Sequence, residues 1–236
     1  MRYMGGKMRI GKQLAGIIQN LNPVVYAEPF CGVFSVGKHI KCKSRTASDI
    51  HPDLILLLQA VQKGWEPPTK ISEDTYNKLR HAEPSPLRGF VGFGCSFYGK
   101  FFGGFARDPS MNDFGTIAKA NLLKLAPLIQ DVEFCCRSYK DLDEDADVIY
   151  CDPPYKGSTN YSCGEFDHDE FWDWVRSRKQ SVLVSEYTAP ADIQMVWQKA
   201  VTTTMKDKTG RGCARVERLY FKPGRKHYSC NLRAAA

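Results

Sequence analysis

The chain has 236 residues, of which 43% are hydrophobic, enough for one large core or two small ones. Its mean hydropathy is −0.39, and since no apolar run approaches the ~20 residues of a membrane span, we expect no membrane segment. The net charge of +7 is concentrated at residues 199–236, where ten Lys and Arg face two acids. This positive charge favours a polyanionic partner, but a basic tail that only keeps the protein soluble explains it equally well.

The nine cysteines form no Cys-x-x-Cys pair, so their spacing favours neither a zinc site nor a disulfide scaffold. The N-terminal residues carry charge but lack the apolar segment of a signal peptide. We therefore expect a reduced, cytoplasmic protein that holds no metal. The sequence leaves the oligomeric state open and allows a monomer.

The first elements alternate between strand and helix. Residues 23–28 (PVVYAE) predict a strand, and the glycine-bearing stretch at 30–40 predicts a turn that enters a helix. Residues 45–50 predict a second strand. His51-Pro52-Asp53 then opens a helix around 54–61, since proline favours the first helical turn.

The segment 64–126 breaks this alternation. It is rich in proline, and its stretch 89–105 (GFVGFGCSFYGKFFGGF) holds six glycines and six phenylalanines. We interpret this stretch as too glycine-rich for a regular core element and too aromatic for a solvated linker. The segment is therefore predicted to be a small inserted domain, and residues 1–63 and 127–236 form the main domain.

Elements resume after residue 126. The pattern predicts, in order, strands at 132–137 and 147–151, a helix at 168–179, a strand at 181–186, a helix around 191–200, and a hairpin of 201–206 with 215–222. Strands that alternate with helices favour an α/β fold with a Rossmann-like, doubly wound and mostly parallel sheet. The hairpin adds an antiparallel pair at its C-terminal end.

Two predicted strand ends carry residues that suit a nucleoside-like cofactor. Ligands of such sheets bind beyond the carboxyl ends of the strands. Glycine in the stretch 28–32 (EPFCG) lets a ligand approach the backbone, although it also suits an ordinary turn. Asp49, which is 21 residues after Glu28, can accept both hydroxyls of a ribose or cap the next helix. Together the two ends favour the cofactor.

A third strand, Val148–Cys151, runs into Asp152-Pro153-Pro154-Tyr155. Residues before proline are held in extended geometry, and proline donates no N–H. The carbonyls of Asp152 and Pro153 are thus expected to face a cleft beside the Asp152 carboxylate. This set of acceptors suits an –NH2 donor, and Tyr155 offers a flat face to a planar ring. The pattern indicates a site for a nucleobase with an exocyclic amine.

These motifs, taken in order, resemble the Dam-type (alpha-group) N6-adenine DNA methyltransferases. The matching stretches are Tyr3-Met4-Gly5-Gly6-Lys7, Glu28–Val36, Ser48-Asp49-Ile50, Ser138-Tyr139, Asp152–Tyr155 and Arg215–Gly224. The resemblance implies transfer of a methyl group from S-adenosylmethionine to adenine N6, with S-adenosylhomocysteine as product and no metal. It also implies a prokaryotic or viral type of enzyme acting on double-stranded DNA, with the target base flipped out.

The resemblance also implies roles for particular residues. Asp152, Pro153, Pro154 and Tyr155 would be catalytic, with Asp152 and the Pro153 carbonyl holding the amine and Tyr155 stacking on the base. The implied cofactor contacts are Tyr3, Met4, Gly6, Lys7, Glu28, Phe30, Cys31, Gly32, Val33, Ser35, Asp49, Ile50, Ser138, Tyr139 and Asp152. Basic residues proposed to contact DNA are Arg2, Arg88, Lys100, Arg107, Arg211 and Arg215, for which a surface role is an equal alternative.

Two other functions remain open at this point. The same chemistry could act on adenine in RNA, because the catalytic motif does not distinguish the polymers. A nucleic-acid-binding protein could also keep the fold without turnover, although intact Asp49 and Asp152 argue against it. The sequence names neither the recognition site nor a restriction partner.

Overall fold

The computed structural model describes residues 1, 3–107, 113–142, 145–157, 166–206, 212–227 and 232. Within these residues the strands are β1 Val25–Glu28, β2 Ser44–Asp49, β3 Val132–Cys136, β4 Val148–Cys151, β5 Ser181–Ser185, β6 Gln194–Lys206 and β7 Gly212–Lys222. The α-helices there are α1 Gly11–Gln19, α2 Pro52–Gln62, α3 Glu73–Leu79, α4 Pro86–Gly89, α5 Phe114–Leu125 and α6 His168–Ser177.

One seven-stranded sheet runs through the molecule in the order β3-β2-β1-β4-β5-β7-β6. The first five strands of that order pair in parallel, and β7 pairs antiparallel with both β5 and β6. The chain therefore has the α/β fold predicted from the sequence, with a C-terminal antiparallel hairpin. Because β1 and β4 are parallel neighbours, their carboxyl ends lie side by side. β1 ends at Glu28, and β4 ends immediately before Asp152.

The start of helix α6 is encoded in its sequence. The Asp167 carboxylate caps α6 by accepting the backbone N–H groups of Asp169 and Glu170. The buried face of this helix carries Phe171, Trp172 and Val175, as the 3.6-residue period predicts. None of the helices in the described ranges has the length and apolarity needed to cross a bilayer.

The prediction of a helix around 191–200 is wrong, because residues 194–200 belong to β6, which pairs along β7, and residues 191–193 form a turn before it. A register shift between Met195 and Trp197 places Val196 and Trp197 in succession in the core. Val196 and Trp197 follow buried Ile193 by three and four residues, which is the spacing of buried residues in an α-helix.

The helix predicted within 30–40 is also corrected. Residues 32–36 form consecutive turns, called the glycine turn below, and only Gly37–His39 form a short 3-10 helix. Gly32 and Phe34 have φ values of 48° and 54°, in the left-handed region that interrupts a right-handed helix. The backbone of these turns therefore stays near the carboxyl end of β1, where the cofactor is predicted to bind.

The glycine-rich stretch contributes regular core elements, contrary to expectation. Phe90–Gly94 forms one turn of π-helix directly after α4, and the side chains of Phe90 and Phe93 are buried in the main hydrophobic cluster. Glycine is needed for close packing here: a Cβ on Gly92 would lie 2.4 Å from the ring of Phe101. The division into two domains stays a prediction.

Candidate active site

A cavity of about 170 Å³ opens at the carboxyl ends of β1, β2 and β4. Every residue predicted to contact the cofactor lines this cavity, from Tyr3 in the N-terminal segment to Asp152 after β4. Topology explains the convergence, since the carboxyl ends of adjacent parallel strands meet at one edge of the sheet. The contacts themselves remain predictions.

Asp49 ties two of these strand ends together. Its carboxylate accepts the Gly32 N–H at 3.1 Å and the His51 N–H at 3.0 Å. Burial raises the pKa of Asp49 to about 6, although these backbone N–H groups favour the charged form. Asp49 therefore both fixes the glycine turn and presents a carboxylate to the cavity.

Glu28 lies at the end of β1 and is 2% exposed. Its Oε2 accepts the Tyr26 hydroxyl at 2.8 Å and the Gly37 N–H at 2.9 Å. Burial raises the pKa of Glu28 to about 8, and the neighbouring Asp152 adds to this rise. Glu28 therefore fixes the start of the 3-10 helix that follows the glycine turn, in addition to lining the cavity.

Aromatic rings form one wall of the cavity. Phe30 stacks on Tyr139 with a centroid distance of 5.2 Å and an interplanar angle of 26°. Phe166 meets Phe30 edge to face at 5.8 Å. Phe93 and Phe101 line another part of the cavity and pack against the ring of His51. Such rings suit the flat face of a purine.

Asp152 is paired with Lys7. The Lys7 Nζ lies 2.8 Å from Oδ1 of Asp152, and the two side chains are 7% and 17% exposed. Burial raises the pKa of Asp152, and the Lys7 ammonium limits that rise. Lys7 also donates to the Gly5 carbonyl at 3.0 Å. A cation therefore already lies against the carboxylate that is predicted to hold an amine.

Tyr155 is held on several sides. Its hydroxyl donates to Oε2 of Glu217 on β7 at 2.9 Å. The Lys7 ammonium lies 4.5 Å from the centre of its ring, and Tyr187 meets the ring edge to face at 4.6 Å. Burial raises the pKa of the Tyr155 hydroxyl, which stays protonated and able to donate.

Glu186, which directly follows β5, holds the backbone after the catalytic motif. It is 1% exposed, and its carboxylate accepts the N–H of Lys156 at 3.2 Å and that of Tyr187 at 2.6 Å. Burial raises the pKa of Glu186 to about 7. His168 lies 3.7 Å from the same carboxylate. The turn after Tyr155 is therefore fixed by a buried acceptor.

The basic residues predicted to contact DNA have different environments. Arg88 is engaged within the protein, where its guanidinium pairs with buried Asp53 and donates to the carbonyls of Leu79 and Arg80. Arg107 pairs with exposed Glu73. Lys100 is exposed and lines the cavity, and Arg215 donates to the Tyr187 hydroxyl. Arg2 and Arg211 lie outside the described residues.

Several residues of the site were not predicted from the sequence. They are Phe93, Phe101, Phe166, Glu186 and Glu217. Glu217 lies within the predicted closing strand, but its approach to Tyr155 depends on strand register. The aromatic residues were visible as a composition, without a sign of which rings face the cavity. No group of three or more His, Cys, Asp or Glu side chains suited to a metal occurs within the described ranges.

A family model described as D12 class N6 adenine-specific DNA methyltransferase matches residues 3–86 and 98–206. This match covers most of the chain and includes the glycine turn, Asp49 and the segment Asp152–Tyr155. The chain belongs to this family. A curated relative, the DNA adenine methylase of Haemophilus influenzae, is 27% identical over 199 residues, which cover 70% of this chain and 68% of the relative.

Membership of this family shows that the protein is an adenine-specific DNA methyltransferase. The two alternatives, an RNA adenine methyltransferase and a non-catalytic nucleic-acid-binding protein, are therefore set aside. Among solved structures, a precorrin-6y C5,15-methyltransferase from Geobacter metallireducens has a TM-score of 0.40 at 10% identity, covering 94% of each chain. A Thermoplasma acidophilum protein has a TM-score of 0.43 at 11% identity, covering 92% of this chain and 99% of its own. The fold assignment depends on the strand order and not on these likenesses.

Proposed function

We propose that the enzyme transfers a methyl group from S-adenosylmethionine to the N6 amine of an adenine flipped out of double-stranded DNA. The observation that carries this proposal is the position of Asp152. Its carboxylate lines the same cavity as Asp49 and the glycine turn, and its Oδ1 is buried, forms an ion pair with Lys7 and accepts no hydrogen bond within the described residues. Cofactor and amine acceptors thus meet at one edge of the sheet.

The cavity residues suit this cofactor. Asp49 presents a carboxylate to ribose hydroxyls, and the stacked Phe30 and Tyr139 rings offer an aromatic surface to the adenine of the cofactor. Gly32 brings the backbone close to the cavity, since a Cβ there would lie 3.0 Å from the Tyr3 ring. The Ser35 hydroxyl is buried, lines the cavity and has no hydrogen-bond partner within the described part of the chain. S-adenosylmethionine, when bound, supplies a methyl group activated by its sulfonium.

Asp152 and the Pro153 carbonyl are proposed to act on the amine. The lone pair of an adenine amine is delocalised into the ring, which makes it a poor nucleophile. Two acceptors that draw on its hydrogens favour tetrahedral geometry and fix the direction of the lone pair. Positioning and electrostatics of this kind supply rate without a covalent enzyme intermediate. Tyr155 would stack on the ring that carries the amine.

Asp152 lies inside the cavity and its side chain is 17% exposed, so a base stacked in a duplex cannot reach it. Extruding one adenine costs a few kcal/mol and requires contacts with the rest of the DNA. Exposed Lys100 at the cavity is our first candidate for such a contact, with Arg107 and Arg215 as further ones. Arg88 is not carried into this surface, because its donors are used within the protein. Monomeric state and cytoplasmic location stay predictions.

The test compares three substrates of one sequence. Tritiated S-adenosylmethionine is supplied with unmethylated plasmid DNA as duplex, with the same DNA as separated strands, and with a matching RNA transcript. We expect the duplex to be labelled at least about tenfold faster, because duplex phosphates supply most of the binding energy. The labelled base in a nuclease digest should be N6-methyladenine. Equal or faster labelling of RNA or single strands would contradict the duplex assignment.

A further inference from the structure

We propose that Lys7 occupies the target-amine site in the free enzyme and moves to Glu217 when adenine enters, which makes Glu217 a positioning residue. This inference rests on the proposed function and deepens it. It begins from a conflict: the proposal gives Asp152 and the face of Tyr155 to adenine, yet Lys7 lies 2.8 Å from the carboxylate and 4.5 Å from the ring centre.

Entry of the base requires Lys7 to leave both contacts. The adenine amine is neutral, so it replaces an ammonium at Asp152 without replacing its charge. Lys7 is 7% exposed, and a buried ammonium without a partner carboxylate is costly. The displaced lysine therefore needs another acid within short reach, either the carboxylate of the bound cofactor, for which Lys7 is a predicted contact, or a second acid of the protein.

Glu217 meets this need. Its Oε2 is 3.8 Å from the Lys7 Nζ, and among the described residues the ion pairs of Lys7 are with Asp152 and Glu217. The nearby acids Glu28 and Glu186 are engaged by other donors. Glu217 also accepts the Tyr155 hydroxyl, so it lies at the edge of the ring and not over its face. A lysine drawn to Glu217 would free the Asp152 carboxylate and the Tyr155 ring together.

The arrangement predicts a rate effect and not a DNA-affinity effect. Lys7 leaves Asp152 after the DNA has bound, so the exchange governs base entry within the complex. Removing the charge of Glu217 strengthens the hold of Lys7 on Asp152. The productive fraction of the bound complex then falls, while contacts to the DNA backbone are unchanged.

Two variants separate the two contacts of Glu217. Glu217→Gln keeps an oxygen that accepts the Tyr155 hydroxyl but removes the charge, whereas Tyr155→Phe removes the hydroxyl and keeps the charge. At saturating duplex plasmid DNA and cofactor we expect Glu217→Gln to lower kcat about tenfold, the size of one lost charge-assisted contact. Its KM for DNA and its thermal midpoint should stay near wild type. Tyr155→Phe should lose less rate than Glu217→Gln.

The outcomes are distinguishable. An unchanged kcat in Glu217→Gln, or a loss confined to Tyr155→Phe, would overturn the role of Glu217. A rise in KM for DNA at unchanged kcat would overturn it too, since Glu217 would then act in DNA binding. Asp152→Asn serves as the reference: if that variant keeps wild-type activity, the proposed function itself fails. If Asp152 is needed and Glu217→Gln is silent, only the inference about Lys7 fails.

Discussion

Two regions of the molecule place aromatic and charged residues around one cavity, and they do so differently. At the sheet edge, Asp49 and Asp152 reach the cavity from the ends of neighbouring parallel strands. In the segment 64–126, Phe93, Lys100 and Phe101 reach it from a short π-helix and the loop after it. The first region is built from hydrogen-bonded strands, whereas the second is built from ring packing between glycines.

The contrast teaches that a side chain at a strand end has its direction fixed by the sheet. A charged residue in the packed segment has no such constraint, and its role depends on its neighbours. Arg88 is 16% exposed and paired with Asp53, while Lys100, twelve residues later, is exposed at the cavity. We therefore expect two residues of the same charge in the same segment to differ in role, with Arg88 contributing to stability and Lys100 to DNA binding.

The largest effect is expected at the sheet edge. Asp49→Ala should weaken S-adenosylmethionine binding about hundredfold, because two hydroxyls lose a charged acceptor. The pKa of Asp49 is raised to about 6, so the carboxylate is protonated as the pH falls through that value. Wild-type affinity should therefore be full above about pH 7 and decline below about pH 6. Calorimetric titration with the cofactor measures both effects.

Asp49→Asn provides the control for the pH effect. The amide keeps one acceptor for the turn around Gly32 but does not titrate, so cofactor affinity should be low and constant across the same pH range. A melting curve checks that the turn has kept its fold. A wild-type affinity that does not change between pH 5 and 8 would contradict the assignment of Asp49 to the ribose.

The strand-end residues of this region were predictable because chain order and strand polarity determine where they lie. Glu28, Asp49 and Asp152 needed only the recognition of three strands. The helix predicted around 191–200 failed, since the bulge between Met195 and Trp197 depends on pairing with a distant strand. Glu217 was missed for the same reason: its distance to Tyr155 is a property of register, which the local pattern does not contain.

A smaller effect, on stability and not on catalysis, is expected in the packed segment. Arg88→Met removes the partner of Asp53, which is 1% exposed. The free energy of unfolding should fall by about 3 kcal/mol, because a buried carboxylate is left without its charge partner. Urea denaturation measures this change. The KM for duplex DNA should remain near wild type in the folded variant.

Lys100→Ala is the matched variant from the same segment. An exposed lysine at the cavity should contribute to DNA binding and little to folding, so the KM for DNA should rise severalfold at unchanged unfolding free energy. The slope of log K for DNA binding against log salt concentration should fall by about one, since about one fewer counterion is released. If Arg88→Met raised the KM and Lys100→Ala lowered the stability, the division between the two residues would be reversed.

The central claim is that Asp152 holds the amine beside the cofactor, and Asp152→Asn tests it most directly. This variant keeps the size of the side chain and one acceptor oxygen, but it removes the charge that pairs with Lys7. The account predicts that single-turnover methyl transfer to unmethylated duplex DNA, measured with saturating cofactor because Asp152 is also a predicted cofactor contact, falls by at least about a hundredfold. Methyl transfer at the wild-type rate would contradict it.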